Sequence, residues 1–410
     1  AFIVQIVTGI ALATSYVASS ADAYASLQFI TNQAFLGYLM RGMHFWGASA
    51  MVTLVGIHAI QTFLYGSYKF PREANWLSGV MLLGVTLLMG FTGQLLRWDQ
   101  NAVWSVVVGA KQAAHTPFLG EQLARFILAG NNIGGATLSR FFAFHVFFIP
   151  GISFALLGLH VYLVLHHGIS EPPKLGRPVD PKSYRAWYQK MLHEKGVPFW
   201  PDAAWRDVVF AAGVVLIIFL LALFVGPPTL DPPPDPSIIK AYPRPDWYLL
   251  WYFAVLALIP PKLEGAIILL APLVGGLLLL LVPFFSNRGE RAPQRRPWAM
   301  GAVMLTLMMI GTLWVAGVQS KWSPDFNPPS LPEAVVGTST GPIAIGAELF
   351  HEKGCANCHR ISGFGGERGP DLTDVGNRLD SNQTILRILN GGTNMPSFAH
   401  ILKPEEINSL

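Results

Sequence analysis

Both cysteines of this 410-residue chain lie in one short run, Cys355-Ala-Asn-Cys358-His359. That is the c-type haem attachment pattern: two thiols three positions apart reach the two vinyl groups of one porphyrin, and the adjacent imidazole supplies an axial nitrogen. Half a zinc site is the bland alternative, and no second cysteine pair exists to complete one. A c haem on His359 needs a sixth ligand. Met395, 36 residues further on in Asn394-Met395-Pro396, is the candidate. Thioether ligation raises the haem potential, which suits an electron acceptor; a core methionine is the ordinary alternative.

A second group of candidate ligands lies upstream, inside apolar runs: His44 and His58 in one, His145 and His160 in another. Ionisable side chains within a membrane span are rare and mark function by default. Steps of fourteen and fifteen residues are close to four helical turns, so each pair points from roughly one face with about 21 Å between its members. Two such helices side by side offer two imidazoles at each of two levels, a bis-histidine arrangement for two b haems. A single intramembrane histidine is often a hydrogen-bonded packing residue, but two matched pairs are not explained that way. Arg41 and Arg140 fall near the first level, where they can pair with haem propionates or simply snorkel at the membrane edge. Gly42, Gly47, Gly56, Gly151 and Gly158 on the same runs have room for a flat macrocycle, although glycine is common in membrane helices generally.

The elements that must position these residues are legible from composition. The chain is 52% hydrophobic and 13% charged, against about 25% charged in a typical soluble protein. Its net charge of +4 is too small to suggest a nucleic-acid partner. Seven apolar stretches predict membrane-spanning helices at residues 1–17, 36–65, 76–96, 140–166, 208–225, 263–285 and 298–318. The run 248–259 is apolar but short, and reads as a segment at the membrane surface. Lys69 and Arg72, seven Lys and Arg from Lys174 to Arg206, and Arg288, Arg291, Arg295 and Arg296 lie in alternate connections. The intervening ones offer Lys111, Arg125, Lys240 and Arg244. The positive-inside rule puts the first set, and the N-terminus, in the cytoplasm and the C-terminus outside, the side on which c haems are attached. From Ser320 to Pro342 a proline-rich linker separates the spans from a polar tail. The expected fold is thus all-α: a transmembrane bundle in two parts (1–170 and 171–319), the linker (320–342), and a small helical cytochrome c domain (343–410).

One segment carries the closest likeness to a known family. Pro245-Asp246-Trp247-Tyr248 is similar to the Pro-Glu-Trp-Tyr signature of the outer quinol-oxidation site of cytochrome b, the core subunit of bc- and bf-type complexes. Phe2-Ile-Val-Gln5-Ile-Val-Thr8-Gly9, Arg41-Gly-Met-His44, Trp98-Asp99-Gln100 and Ser139-Arg140 are also family-like, in family order, so the resemblance spans nearly all of residues 1–318. Gly369-Pro370-Asp371-Leu372 resembles the small single-haem cytochromes c. The fifteen-residue step between His145 and His160 is similar to the bf branch. That branch, however, usually divides the seven helices between two polypeptides and carries an extra covalent haem on a cysteine where this chain has Ala1. No such haem is expected here.

The resemblance implies quinol oxidation at the outer membrane face, with Asp246 as proton acceptor and Pro245, Trp247 and Tyr248 shaping the site. One electron would pass through a Rieske iron–sulfur partner to cytochrome c, the other through the two b haems to a quinone at the inner face. It also implies proton translocation, a homodimeric complex, and a bacterial cytoplasmic membrane with the cytochrome c domain on its outer side. Asp in place of Glu at 246 looks more typical of menaquinol users. At the inner face His166, His167 and Glu73 are candidates, with surface roles as the alternative. The rival reading is a passive dihaem anchor wiring a dehydrogenase to the quinone pool, which needs the four histidines but neither the 245–248 motif nor a tethered c haem. The native product is expected to continue past both ends of this numbering, because the helix opening at Pro404 stops about one turn in.

Overall fold

The computed structural model describes residues 1–131, 133–234, 244–319, 328–366, 369–391, 395, 398–399 and 401–410. Pro324 of the linker, Asp235-Pro236 in the segment before the 245–248 motif, and Asn394 and Pro396 flanking Met395 lie outside the described residues. The described chain forms two compact units, one of residues 1–131, 135–231 and 244–320, the other mainly of 321–410.

Among its described residues the first unit is built of helices, with one isolated antiparallel bridge between Val179 and Gly289. Its elements are α1 (Phe2–Ala13), α2 (Ala23–Asn32), α3 (Gly37–Leu64), α4 (Glu73–Leu95), α5 (Gln100–Ala114), α6 (Gly120–Leu128), α7 (Gly135–Ala143), α8 (Ile149–His167), α9 (Tyr184–Lys195), α10 (Ala204–Phe224), α11 (Leu250–Leu258), α12 (Pro261–Phe285) and α13 (Pro297–Gln319). Among the described residues six helices are long and apolar enough to cross a membrane: α3, α4, the continuous run Gly135–His167, the helix ending at Phe224, α12 and α13. Sequence reading expects seven. The difference is α1, an apolar helix whose 12 residues begin at the second position of the given sequence. The run 248–259 forms the short helix α11, as expected.

A turn of π-helix, Phe144–Phe148, joins α7 to α8 and contains His145. It explains the unequal histidine spacings. A π turn takes up one residue more than an α turn without matching rise, so fifteen residues on this helix cover the axial distance that fourteen cover on α3. Helix α3 packs against α1 and α10, and α4 against α8, so the two histidine-bearing helices sit within one bundle. Leu305, Phe210 and Leu273 are among many large apolar side chains left exposed on the long helices, as a lipid-facing surface requires.

The three basic connections meet at the end of the bundle nearest His58. Lys69 Nζ donates to the Arg288 carbonyl at 2.5 Å. Arg72 donates to the carbonyls of His167, Gly168 and Ile169, capping the end of α8, and to the Tyr184 hydroxyl. Arg296 caps α3 through the carbonyls of Phe63 and Leu64. Arg291 and Glu171 form a buried ion pair at 2.7 Å, with Tyr184 donating to the second carboxylate oxygen at 2.9 Å. Replacing Glu171 with glutamine leaves Arg291 a buried cation without its counter-charge, which should cost about 3 kcal/mol or more. Thermal unfolding of the purified protein in detergent checks this, and an unchanged midpoint would show that the pair is dispensable.

The second unit contains α14 (Glu333–Val336), α15 (Pro342–Glu352), the hairpin of β1 (Arg360–Ile361) and β2 (Phe364–Gly365), α16 (Ser381–Asn390) and α17 (Pro404–Ser409). Asp380 caps α16 by accepting from the Gln383 amide, and the Gln383 side chain accepts from Asp380 in return. Helix α17 closes against α15, where Gly346 meets the Ser409 carbonyl so closely that no Cβ fits between them. Lys353 and Glu406 pair across the same two helices at 3.1 Å.

Candidate functional site

His44 on α3 and His145 in the π turn face each other with ring centres 6.2 Å apart and ring planes at 80°. His58 on α3 and His160 on α8 repeat the arrangement at 6.5 Å and 82°. A metal held between two imidazole nitrogens at about 2 Å from each separates the ring centres by about 6 Å. Both pairs therefore have the spacing that a haem iron between them needs.

The hydrogen bonds behind the rings fix which nitrogen faces inward. Thr8 Oγ1 lies 2.9 Å from His44 Nδ1, Thr92 Oγ1 3.2 Å from His145 Nδ1, and Ser78 Oγ 2.8 Å from His160 Nδ1. Each hydroxyl gives its own proton to a helix carbonyl, of Val4, Leu88 and Asn75 respectively. Each must then accept from the imidazole, which makes Nδ1 the protonated nitrogen and leaves Nε2 free for a metal. A glycine follows each hydroxyl and lets the ring approach: a Cβ at Gly9 would lie 3.3 Å from His44 Cε1, one at Gly79 3.4 Å from His160 Cε1, and one at Gly93 2.6 Å from His145 Cε1. Sequence reasoning names Thr8-Gly9 only within a family-like stretch and misses the role of all three hydroxyl–glycine pairs. Their signal is the repeat of Ser78-Gly79 and Thr92-Gly93 at fourteen residues, the step that separates His44 from His58. The glycines it does single out behave differently. Gly42 packs on Ala222 and Gly47 on Gln5, whereas Gly56, Gly151 and Gly158 border open space.

The 245–248 motif lies at the His44–His145 level. Tyr248 donates to Asp246 Oδ2 at 3.2 Å. Its hydroxyl occupies the place a Cβ would take at Gly90, three residues before the glycine that packs on the His145 ring. Trp247 is fixed from two sides: its indole donates to Ser49 on α3 at 3.3 Å, and its carbonyl accepts from Trp314 on α13 at 2.9 Å. Pro245 follows Arg244, which Asn101 on α5 holds by two hydrogen bonds. Burial pushes the Asp246 carboxyl above its ordinary range, and the Arg97 cation and the Tyr248 hydroxyl draw it back. Burial likewise raises the Tyr248 phenol, which stays a donor.

The two arginines expected near this level have protein partners. Arg41, 8% exposed, donates to Thr31 Oγ1 at 3.1 Å and to the Pro228 carbonyl at 2.8 Å. Arg140 donates to the Phe126 carbonyl and stacks over the Phe126 ring at 5.1 Å. Of the inner-face candidates, Glu73 accepts from Asn287 at 2.7 Å, His167 Nδ1 meets Asn75 at 2.9 Å, and His166 stacks on Tyr162.

In the second unit, Cys355 opens a 3₁₀ turn (Cys355–Asn357) and Cys358 follows it, so both half-buried cysteines stand directly ahead of His359. His359 Nδ1 donates to the Pro370 carbonyl at 2.9 Å, again leaving Nε2 free. Gly369 is required beside it, since a Cβ there would lie 2.5 Å from His359 Cε1. Asp371 pairs with Arg360 at 2.8 Å, and hydrogen bonds from Thr373, followed by Arg360, hold its carboxyl down at about 2. Met395 is half-buried. The donor set and free nitrogen suit a covalent haem.

Comparison with known proteins agrees with this chemistry. Residues 49–234 match the family model described as cytochrome b(N-terminal)/b6/petB, residues 233–326 match cytochrome b(C-terminal)/b6/petD, and residues 341–410 match cytochrome C oxidase, cbb3-type, subunit III. The cytochrome b subunit of menaquinol:cytochrome c reductase from Bacillus subtilis is 40% identical over 172 residues, 42% of this chain and 76% of that protein. Cytochrome b/c1 of Bradyrhizobium diazoefficiens is 30% identical over 317 residues, 75% of this chain; the match spans 44% of that longer protein. A solved structure titled "Hyperthermophilic respiratory Complex III" superposes with a TM-score of 0.66 at 29% identity, covering 78% of this chain and 82% of that one. With its paired histidines and its Cys-Ala-Asn-Cys-His turn, the chain belongs to the cytochrome b family of quinol:cytochrome c oxidoreductase complexes and carries a cytochrome c domain at its C-terminal end.

Proposed function

We propose that this chain oxidises a quinol beside Asp246 and divides the two electrons between two routes. The observation that carries the reading is the half-buried Tyr248–Asp246 hydrogen bond, one helical turn from the glycine that seats the His145 ring. It sets a proton acceptor next to an electron acceptor. Asp246 takes a quinol proton, because a carboxylate within hydrogen-bond reach of the hydroxyl is a competent general base. Tyr248 orients that carboxylate, and the fixed Trp247 closes the site against α3 and α13. When bound, two b haems on His44–His145 and His58–His160 and a c haem on Cys355, Cys358, His359 and Met395 supply one-electron chemistry. A Rieske iron–sulfur protein takes the other electron, since this chain has no cysteines left for a cluster. A cytochrome c or similar acceptor follows, and a quinone at the opposite face receives the electron that crosses.

The three basic connections gathered at the His58 end support an orientation with that end in the bacterial cytoplasm. The 245–248 motif and the cytochrome c domain are then on the outer side, where quinol oxidation releases protons and contributes to translocation. In this reading residues 1–170 and 171–319 form the two parts of the membrane core, 320–342 the linker and 343–410 the cytochrome c domain, within a homodimeric complex. Asp246 and the menaquinol named for the Bacillus relative favour menaquinol as substrate.

A redox titration with optical spectra should count two b haems and one c haem per chain. Purified complex should reduce cytochrome c with quinol only when the Rieske protein is present. Steady turnover without it would favour the passive dihaem anchor. Haem stain on the denatured chain should vanish when Cys355 and Cys358 are both replaced by alanine, and stain persisting in that double variant would reveal a second covalent attachment.

A further inference from the structure

Arg97 stands two residues beyond α4, four after Gly93, and so one helical turn past the point where the helix meets the His145 ring. Its side chain is 20% exposed, and its nearest carboxylate is Asp99, at 3.7 Å from Nε. Asp99 is already engaged: one oxygen accepts from the Ala102 amide at 2.8 Å as the cap of α5, the other from the Asp231 amide at 3.4 Å. Among the described residues, Nε and Nη2 of Arg97 are buried without a hydrogen-bond partner. A buried guanidinium with two N–H groups unmatched is costly, and two parallel N–H groups match the fork of a carboxylate. The groups around it are known: Arg41 on α3, Asp99 at the start of α5, and Asp246 and Tyr248 in the segment before α11 all lie within its electrostatic reach. Arg41 already gives two of its N–H groups to Thr31 and Pro228, and Arg140 turns to Phe126.

We propose that Arg97 is a binding residue for a propionate carboxylate of the haem at the His44–His145 level, through Nε and Nη2. This rests on the bis-histidine reading of that level and adds a cation that neither spacing nor family likeness marks. The charge of Arg97 then stabilises the reduced, less positive haem, and its loss moves that haem alone.

The experiment is potentiometric titration of the intact haem-loaded complex, resolving the two b haems spectrally. In Arg97→Gln the midpoint of the His44–His145 haem should shift to lower potential while that of the His58–His160 haem stays put. Redox-difference infrared spectra should show its propionate carboxylate bands displaced. Arg97→His supplies a second arm in a single protein: the same haem should gain an extra fall in midpoint potential as pH rises through the imidazole range, about pH 6.5, relative to wild type. An unmoved midpoint and unmoved propionate bands in Arg97→Gln overturn the proposal. So does a wild-type pH dependence in Arg97→His, which decides the matter should the glutamine variant fail to assemble. Failure of the bis-histidine reading shows separately, as a missing low-spin b-haem spectrum in the wild type.

Discussion

Asp246→Asn should slow quinol oxidation by about 100-fold or more, the scale of a lost general base, while both b-haem spectra stay intact. The amide keeps the shape of the side chain and can still take the Tyr248 hydrogen bond, but it cannot accept a proton as a carboxylate does. The wild-type pH profile should carry the same information. Asp246 works as the anion, so the rate falls as pH drops through its pKa. Burial has moved that pKa above the ordinary carboxylate range, so the acid limb lies at correspondingly higher pH than for a free aspartate. Tyr248→Phe removes a donor that favours the anion. The carboxyl should rise further, and the acid limb should shift to still higher pH with the plateau less affected. Arg97→Gln should move the limb in the same direction, because the Arg97 cation also holds Asp246 down. The pH dependence of kcat/KM for quinol, which reports the free enzyme, tests all three. An Asp246→Asn enzyme with wild-type turnover at every pH would remove this carboxylate from the chemistry.

What the sequence discloses and what it conceals follow from the range of the contacts involved. The long apolar runs are local features, and their ends agree with α3, α4, α12 and α13 to within a few residues. The four histidines are legible because a fourteen- or fifteen-residue step on a helix is a local geometric fact. The π turn at Phe144–Phe148 is hidden, since nothing in Phe-His-Val-Phe-Phe announces a wider turn. Only the demand that His145 meet His44 while His160 meets His58 makes the extra residue necessary. The hydroxyl–glycine pairs are concealed for another reason. Thr8, Ser78 and Thr92 look like ordinary helix residues that donate to the preceding turn, and each does so. Their second bond, to an imidazole on another helix, depends on how α1 and α4 pack beside α3 and α8. Arg97 is similar. In Leu-Leu-Arg-Trp-Asp at the end of an apolar run it reads as a membrane-edge cation, and only the burial of its Nε and Nη2 sets it apart.

The glycines on α4 give the largest contrast between two substitutions of identical chemistry. Gly93→Ala should abolish the haem at the His44–His145 level, whereas Gly79→Ala should leave both b haems bound. At Gly79 a new methyl would lie 3.4 Å from His160 Cε1, an ordinary van der Waals contact that the ring tolerates. At Gly93 it would lie 2.6 Å from His145 Cε1 and 3.1 Å from Nε2, closer than a methyl carbon and a ring carbon can sit. Neither side can easily give way. Helix α4 is anchored near its start by the Trp76 indole, which donates to the Leu279 carbonyl at 2.6 Å, and Thr92 beside Gly93 is 2% exposed and tied to the same ring. His145 would therefore swing away from His44 and lose the 6.2 Å separation that an iron between them requires. Helix propensity works in the opposite direction, since Ala is better than Gly in a helix by about 1 kcal/mol. A loss at Gly93 is then a steric effect on the ring rather than a weakened helix, and the haem about 21 Å away along α3 should be untouched. Dithionite-reduced spectra of the two purified variants decide it: one b-haem signal missing in Gly93→Ala and both present in Gly79→Ala. Two intact signals in Gly93→Ala would mean that the His145 ring has more freedom than its packing against Gly93 allows.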